Sequence, residues 1–447
     1  MSFKSMFTLE VYRQISTQHI YSVFTFLCYP SPMRVPLASL GLRQKDIDAA
    51  IKVLTSNKLT MGSNVKEFES MMASYLGVKF FIMVNSGSSA NLAIIEALLR
   101  PSSGVAALQP GDGVILPSVA WPTTVWPVIQ LGLKPVFVDV EQDSIAIDLD
   151  LAEQELSTNN SIKAMFPIHP LGYGISNTKL EDFCLKNDLL LINDVCESLG
   201  SWRNGSHAGV CGIASSFSFY FSHHITTMEG GGVATNHPEF ADDIRSIRSH
   251  GWSRDRSDID VWHKTSKSKL ATQSISENHL KFQFITTGFN IRPMEIQAAI
   301  GIEQLKDLNK FIDRRRSIAR QVKKCLEGTV FQVIDAGTLD NEATEEQHSW
   351  MLIPIRINYD LSENQKKFLD LMLEKYEIEA RPALTGNFLR QPVMLTLKDM
   401  PSPSKFKVAE LISSNYFLVG CHQDLTNEQV EFLSESLKKL ALNLVTI

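Results

Sequence analysis

Short apolar runs and longer segments of helical period alternate along most of the chain. Helix signals open at Gln44 to Leu54. In the next helix Val65, Phe68, Met72 and Tyr75 share one face, with Ser63 placed to cap it and Gly77 to stop it. Val78 to Val84 reads as a strand that passes through Asn85-Ser86-Gly87-Ser88-Ser89 into a helical stretch, Ala90 to Leu99. Strand signals recur at Gly113 to Pro117, Pro135 to Val140, Ala164 to Ile168, Leu189 to Asn193, Ala214 to Phe221 and Gly232 to Thr235, with helices between. This alternation predicts a mostly parallel α/β sheet covered on both faces, with ligands beyond the carboxyl ends of its strands. Polar and aromatic residues gather at those ends: Ser118 to Trp121, His169, Asp194 with Glu197, and Ser218 with His223.

Further along, the polar stretch Asp255 to Lys281 reads as an exposed loop or insertion, and Pro293 to Leu308 as one long helix. Beyond about residue 320 a second α/β unit is expected, with strands at Met351 to Ile357 and Tyr416 to Val419. Its last helix opens with a capping box, Thr426 with Gln429. Residues 1 to 35 break the pattern: Val23 to Cys28 is a short apolar run interrupted by Thr25, without the features of a signal peptide. The expected organisation is a poorly ordered extension over 1–35, a large unit over 36–320 and a small C-terminal unit over 321–447.

Composition narrows the function. The 447 residues are 44% hydrophobic and 21% charged, an ordinary globular balance, and the net charge of -6 offers no basic field for nucleic acid or an anionic membrane. The six cysteines are scattered without CxxC or disulfide-framework spacing, which suits a reducing cytoplasm. Small-molecule chemistry is the expectation.

Two stretches carry that chemistry. In NSGSSAN, Asn85 to Asn91, a strand feeding a small-residue turn and a helix start presents free backbone N–H groups and hydroxyls to an anion, although such turns also serve as plain connectors. In SFSFYFSHHITTMEGGG, Ser216 to Gly232, Phe217, Phe219 and Phe221 alternate with polar residues as on a strand, which ends at two histidines. Between these stretches in sequence order stands Asp194, after the apolar run Leu189 to Ile192. It could meet a protonated pyridine nitrogen or cap the next turn.

These two stretches, with NDVCESLG at Asn193 to Gly200 and GFNIRPMEIQAAIGIEQL at Gly288 to Leu305, resemble in order the motifs of the DegT/DnrJ/EryC1/StrS sugar aminotransferase family. The resemblance spans about residues 36 to 445. It implies the type I fold of pyridoxal phosphate enzymes and a homodimer with sites at the interface. Residue by residue, it implies that Ser88, Ser89 and Ser218 bind the cofactor phosphate and that Asp194 keeps the pyridine nitrogen protonated, making the ring an electron sink. Trp121, in PSVAWPTT, matches the residue that stacks on the ring. Glu197 stands where the family's aminotransferases carry a glutamine beside the phenolic oxygen. Asn290 matches the residue that reaches the phosphate from the partner subunit.

One departure changes the expected reaction. The family's lysine, which binds the cofactor covalently, is replaced by His223, and no lysine occurs from Asn187 to His263. Imidazole forms no stable imine but suits proton transfer, so pyridoxamine phosphate held non-covalently is expected. With TGNFLRQP at Thr385 to Pro392 and FLVGCHQ at Phe417 to Gln423, the chain resembles the 3-dehydratase branch acting on nucleotide 4-keto-6-deoxyhexoses. No cysteine lies between Cys211 and Cys325, which points to the branch without an iron-sulfur cluster, of the GDP-4-keto-6-deoxymannose type, with glutamate as amino donor. By resemblance Arg381 and Asn387 contact the sugar nucleotide; alone, Arg381 would read as a surface ion pair. His224 reads as a structural neighbour, since adjacent strand residues face opposite ways. His169 reads as a cofactor-rim or packing residue, and Glu229 as a partner of His223 or a turn residue. An aminotransferase without its lysine and a silent cofactor-binding regulator remain the alternatives.

Overall fold

The structure is a computed structural model that describes residues 33–38, 41–100, 107–269, 279 and 281–446. The elements of the first part are α1 (Gln44–Ser56), α2 (Ser63–Leu76), β1 (Phe80–Val84), α3 (Gly87–Leu98), β2 (Gly113–Pro117), α4 (Pro122–Gln130), β3 (Lys134–Val138), α5 (Leu149–Thr158), β4 (Ile162–Met165), α6 (Asn177–Lys186), β5 (Leu190–Asp194), the two-strand hairpin β6 (Trp202–Arg203) and β7 (Ser206–His207), β8 (Ala214–Ser218), β9 (Gly231–Thr235) and α7 (Pro238–Ile247). Then come α8 (Ile259–Lys269), α9 (Glu295–Leu305), α10 (Leu308–Leu326), β10 (Phe331–Val333), β11 (Leu352–Ile357), α11 (Glu363–Lys375), β12 (Ala380–Pro382), α12 (Lys407–Asn415), β13 (Tyr416–Gly420) and α13 (Asn427–Leu444).

Seven strands form the large sheet in the order β1-β9-β8-β5-β4-β2-β3. Of these only β9 runs against its neighbours, pairing antiparallel with both β1 and β8. Parallel order puts the ends of β1, β5 and β8 on one edge, where the polar residues gather. Glycine makes the antiparallel strand possible. A Cβ on Gly231 would come within 2.4 Å of the Ser86 carbonyl carbon, so only a bare backbone can lie against the turn that leads into α3.

Four strands, β10-β11-β13-β12, form a second sheet that is antiparallel throughout. Its core contains Phe331, Ile353, Phe417, Val419, Leu433 and Leu437, and Val35 joins it through a parallel bridge to Ile378. Residues 1–32 of the expected N-terminal extension lie outside the described residues; Val35 is fully buried. Position 320 falls inside α10, whose start (Leu308, Phe311, Ile312) packs with the large unit and whose end (Ile318, Ala319, Val322, Leu326) packs with the small one.

The expected long helix at 293–308 is interrupted: α9 ends at Leu305 and α10 starts at Leu308. Part of the polar stretch expected as a loop is the helix α8, and Arg256 ahead of it is buried with ion pairs to Asp243 and Asp258. The expected strand to Phe221 stops at Ser218. Phe217 and Phe219 are both fully buried, and Phe219 packs edge-on against Phe68 at 5.2 Å between centroids, while Phe221 is exposed. The alternation thus holds for Phe217 and Phe219, whose burial is worth about 2 kcal/mol each, and fails at Phe221, beyond the end of the strand.

Capping at α13 agrees with expectation: Thr426 accepts from the Gln429 N–H and Gln429 accepts from the Thr426 N–H. Capping of α2 does not. Ser63 makes no cap; the carboxylate of Glu295, at the start of α9, accepts from the N–H groups of Gly62, Asn64 and Val65 at 2.7 to 2.9 Å. Burial tends to raise the Glu295 carboxyl, and these bonds outweigh it and hold it below its ordinary value. A depressed carboxylate stabilises the fold above its unfolded pKa and loses that contribution as pH falls through the folded value. Glu295→Gln should therefore cost about 2 kcal/mol at pH 7, measured by urea denaturation, with the difference from wild type shrinking in acid below the ordinary glutamate range.

Candidate active site

Asp194 is the last residue of β5 and is 4% exposed. Such a carboxylate survives burial only with strong donors, and it has three. Oδ2 accepts from Asn91 Nδ2 on α3 at 2.8 Å and from Thr124 Oγ1 on α4 at 2.7 Å, and Oδ1 accepts from the Cys196 N–H at 3.1 Å. It lies on the wall of a cavity of about 290 Å³, at the small end of the range for ligand pockets.

The first turn of α3 closes one end of that cavity with Ser86, Gly87 and Ser88, opposite Ser218. Ser86 caps the helix, its Oγ accepting from the Ser89 N–H, while the N–H groups of Gly87 and Ser88 belong to the turn that has no intrahelical acceptor. At Gly87 a Cβ would fall 2.5 Å from that of Ser218, so the glycine leaves a small cradle between hydroxyls. Trp121 immediately precedes α4, stands 46% exposed at the mouth, and carries the Arg381 guanidinium 5.9 Å from its ring centroid. Arg381 comes from β12 of the small unit, lines the same cavity, and has a buried Nε without a partner.

Glu197 and His223 complete the polar wall. Burial raises the Glu197 carboxyl, an effect that Arg381 and the Leu171 N–H only partly offset. Burial also pulls the His223 imidazole down to about 4; the Cys196 backbone and the Asp194 charge oppose this, and Arg381 and Arg315 add to it. Its Nδ1 is buried without a partner. The result is an imidazole that is neutral at neutral pH and stands on the cavity wall. No lysine is among the lining residues.

Of the residues singled out in the sequence, Ser88, Trp121, Asp194, Glu197, Ser218, His223 and Arg381 meet at this cavity, and Glu229 joins them at its edge. Five others, Ser89, Asn290, Asn387, His169 and His224, do not line it. Ser89 turns its hydroxyl to that of Ser86. Asn290 is on the surface, its Oδ1 accepting from Arg292 Nε. Asn387 is 1% exposed, with its amide donating to the Pro403 carbonyl and to Glu410 and its Oδ1 accepting from the Leu389 N–H, so its polar groups are consumed in holding its own loop. His169 is fully buried, Nδ1 accepting from the Ile175 N–H and Nε2 facing Asn193 Oδ1 at 3.2 Å, a packing role rather than a rim role. His224 is buried away from the cavity, as expected of a structural neighbour.

Sequence reading missed Thr124, Asn91 and Arg315. The first two sit inside quoted motifs but look like ordinary helix residues. Arg315 had a usable signal: it falls on the stripe Leu308, Phe311, Ile312, Ile318, Ala319 and Val322, a charge on an otherwise apolar helix face.

The cradle at Gly87, the hydroxyl-lined helix start, the buried acceptor Asp194 and the half-exposed Trp121 suit a phosphorylated aromatic cofactor with a basic ring nitrogen. Titration of the protein by histidine NMR, with His223→Asn to assign the signal, should find His223 neutral down to about pH 4. A value near 6.5 would contradict the buried environment described above.

Comparison with known proteins agrees with this geometry. A model of the DegT/DnrJ/EryC1/StrS aminotransferase family matches residues 41–438. The GDP-4-keto-6-deoxy-D-mannose 3-dehydratase of Yersinia pseudotuberculosis is 34% identical over 404 residues, covering 90% of this chain and 98% of the relative. The solved E. coli GDP-4-keto-6-deoxy-D-mannose-3-dehydratase with bound hydrated PLP superposes with a TM-score of 0.77 at 33% identity, covering 91% of this chain and all of the other. A further solved GDP-4-keto-6-deoxymannose-3-dehydratase, with a trapped PLP-glutamate geminal diamine, has a TM-score of 0.77 at 32% identity over the same share of this chain and 100% of its own. Motifs, fold and cavity together place the chain in the DegT/DnrJ/EryC1/StrS aminotransferase family.

Proposed function

We propose that this protein is a 3-dehydratase of a nucleotide-linked 4-keto-6-deoxyhexose, working with pyridoxamine phosphate held without a covalent bond. The observation that carries the reading is His223, a neutral imidazole on a cavity wall where the family's aminotransferases place their lysine. GDP-4-keto-6-deoxymannose is the first substrate to try, because it is the compound named for the similar dehydratases. Glutamate is the amino donor of choice, given the adduct trapped in one of them.

The roles of the residues follow from their chemistry. The first turn of α3, with Ser88 and Ser218, holds the phosphate through N–H and hydroxyl donors. Asp194, itself held by Asn91, Thr124 and Cys196, keeps a proton on the ring nitrogen as an ion-pair partner. Trp121, at the mouth of the cavity, would face the cofactor ring and limit water on that side. When bound, the cofactor would supply an amine to meet the sugar's C4 ketone and a protonated ring as the electron sink through which the C3 hydroxyl can be expelled. His223 takes a proton on the cofactor side and, as imidazolium, returns one to the leaving oxygen. Arg381, with Nε free, meets an anionic or hydroxyl group of the sugar nucleotide above Trp121. Glu197, its carboxyl raised by burial, stands where the family's aminotransferases carry a glutamine. Asn290, on the surface of a single chain, is assigned to the site of a partner copy in a homodimer. A cytoplasmic location fits the scattered cysteines.

Purified protein with pyridoxamine phosphate and GDP-4-keto-6-deoxymannose should form a 3-deoxy sugar, with repeated turnover only when glutamate is added. A 4-amino sugar would instead favour amino transfer, and no product from several nucleotide sugars would favour a silent cofactor-binding protein. His223→Asn should lower the rate by roughly 100-fold or more. His223→Lys should make cofactor binding covalent, read by mass spectrometry after borohydride reduction, and should abolish C3 deoxygenation; continued deoxygenation in that variant would assign the proton transfer to another residue.

A further inference from the structure

Arg315 lies in α10, where that helix crosses from the large core to the small one, and it is 1% exposed. Its Nη1 donates to the carbonyls of Trp350 at 3.0 Å, Met351 at 2.9 Å and Cys421 at 2.8 Å. Its Nη2 donates to Gln423 Oε1 at 3.1 Å and to the carbonyl of His223 at 3.4 Å. Every acceptor is neutral. Asp424 acts on it through its charge, but burying a cation still costs several kcal/mol, and an apolar side chain would fill the same space at lower cost. Burial lowers the guanidinium to about 10, so it stays charged at neutral pH. What an apolar residue could not do is join three chain segments through one rigid fork of donors.

One of those segments is the loop that carries His223. Its N–H donates to the Tyr220 carbonyl at 3.0 Å, within the loop, and its carbonyl is held from outside by Arg315. That carbonyl belongs to the peptide between His223 and His224, so its direction decides which way each side chain leaves the backbone. His223 leaves toward the cavity. His224 leaves toward the core, 1% exposed and with neither ring nitrogen partnered. The other segments supply the facing wall. Met351 lines the cavity, and Trp350 before it is fully buried with φ of 56°, a left-handed conformation that costs a non-glycine residue about 1 kcal/mol or more. Its ring stacks on His348 at 3.7 Å between centroids. One guanidinium thus grips the backbone on both sides of the cavity.

We propose that Arg315 is a positioning residue for His223: by holding the peptide between His223 and His224 against the start of β11, it aims the first imidazole into the cavity. This rests on the reading of His223 as the acid/base, and the test is chosen to separate the two.

The decisive variant is Arg315→Gln, with Arg315→Lys as the conservative comparison. The first readout needs no turnover: carbethoxylation of each histidine by diethyl pyrocarbonate, followed by peptide mass spectrometry. His223 should react several-fold faster in Arg315→Gln, while the fully buried His169 and His207 stay protected and so exclude general loosening. In the dehydration assay kcat should fall roughly 10- to 100-fold with KM little changed, as for a misaimed catalytic group, and Arg315→Lys should recover part of the loss. A folded Arg315→Gln with wild-type His223 reactivity and wild-type kcat overturns the proposal. Should Arg315→Gln fail to fold, Gln423→Leu removes one anchor of the fork, and unchanged His223 reactivity there overturns it equally. A wild-type protein without dehydratase activity contradicts the functional reading alone, and the reactivity of His223 then decides the role of Arg315.

Discussion

The burial of one carboxylate organises this site. Asp194 is out of water and, among the described residues, has no cationic side chain bonded to it, so it depends on donors brought by α3, α4 and the turn after β5. Those donors cannot be supplied unless the three elements meet at the carboxyl edge of the sheet. The helix start that Asn91 belongs to also presents Ser88, and the helix that Thr124 belongs to begins at Trp121. Satisfying Asp194 therefore sets the distances between the anion seat, the ring-nitrogen partner and the stacking residue in one step.

The remaining wall is built differently, by packing and by a charge from beyond the large unit. Phe217 and Phe219 are drawn into the core beside Phe68 and Phe81, which ends β8 early and turns the chain into the loop bearing His223. Arg315 then fastens that loop to the small unit, which also lends Arg381 and Met351 to the cavity. The active residues so belong to two cores, and the chemistry depends on the contact between them.

Much of this was legible in the residues. The βα alternation indicated the parallel sheet and its ligand edge. The lysine-free stretch around His223 indicated a non-covalent site. Legibility failed where a tertiary partner outbid a local one. Ser63 had the local form of a cap, but a buried glutamate more than two hundred residues away bonds more donors. Asn387 sat in a motif associated with substrate, yet its amide is engaged by Glu410 and the Pro403 carbonyl. Phe221 obeyed period two, whereas core packing follows the space available beneath β8. Arg315 was readable as a misplaced charge on an apolar stripe, but nothing local indicated which carbonyls it would meet.

We infer that an imidazole in the lysine's place redirects the family's cofactor chemistry from amino transfer to loss of the C3 hydroxyl. A single-turnover reaction decides between the two: protein loaded with one equivalent of pyridoxamine phosphate, GDP-4-keto-6-deoxymannose, no glutamate, and NMR observation of the sugar carbons. The wild-type product should carry a methylene at C3, and His223→Asn should form none. A retained C3 hydroxyl with nitrogen at C4, or a methylene formed equally well by His223→Asn, would overturn that role for the imidazole.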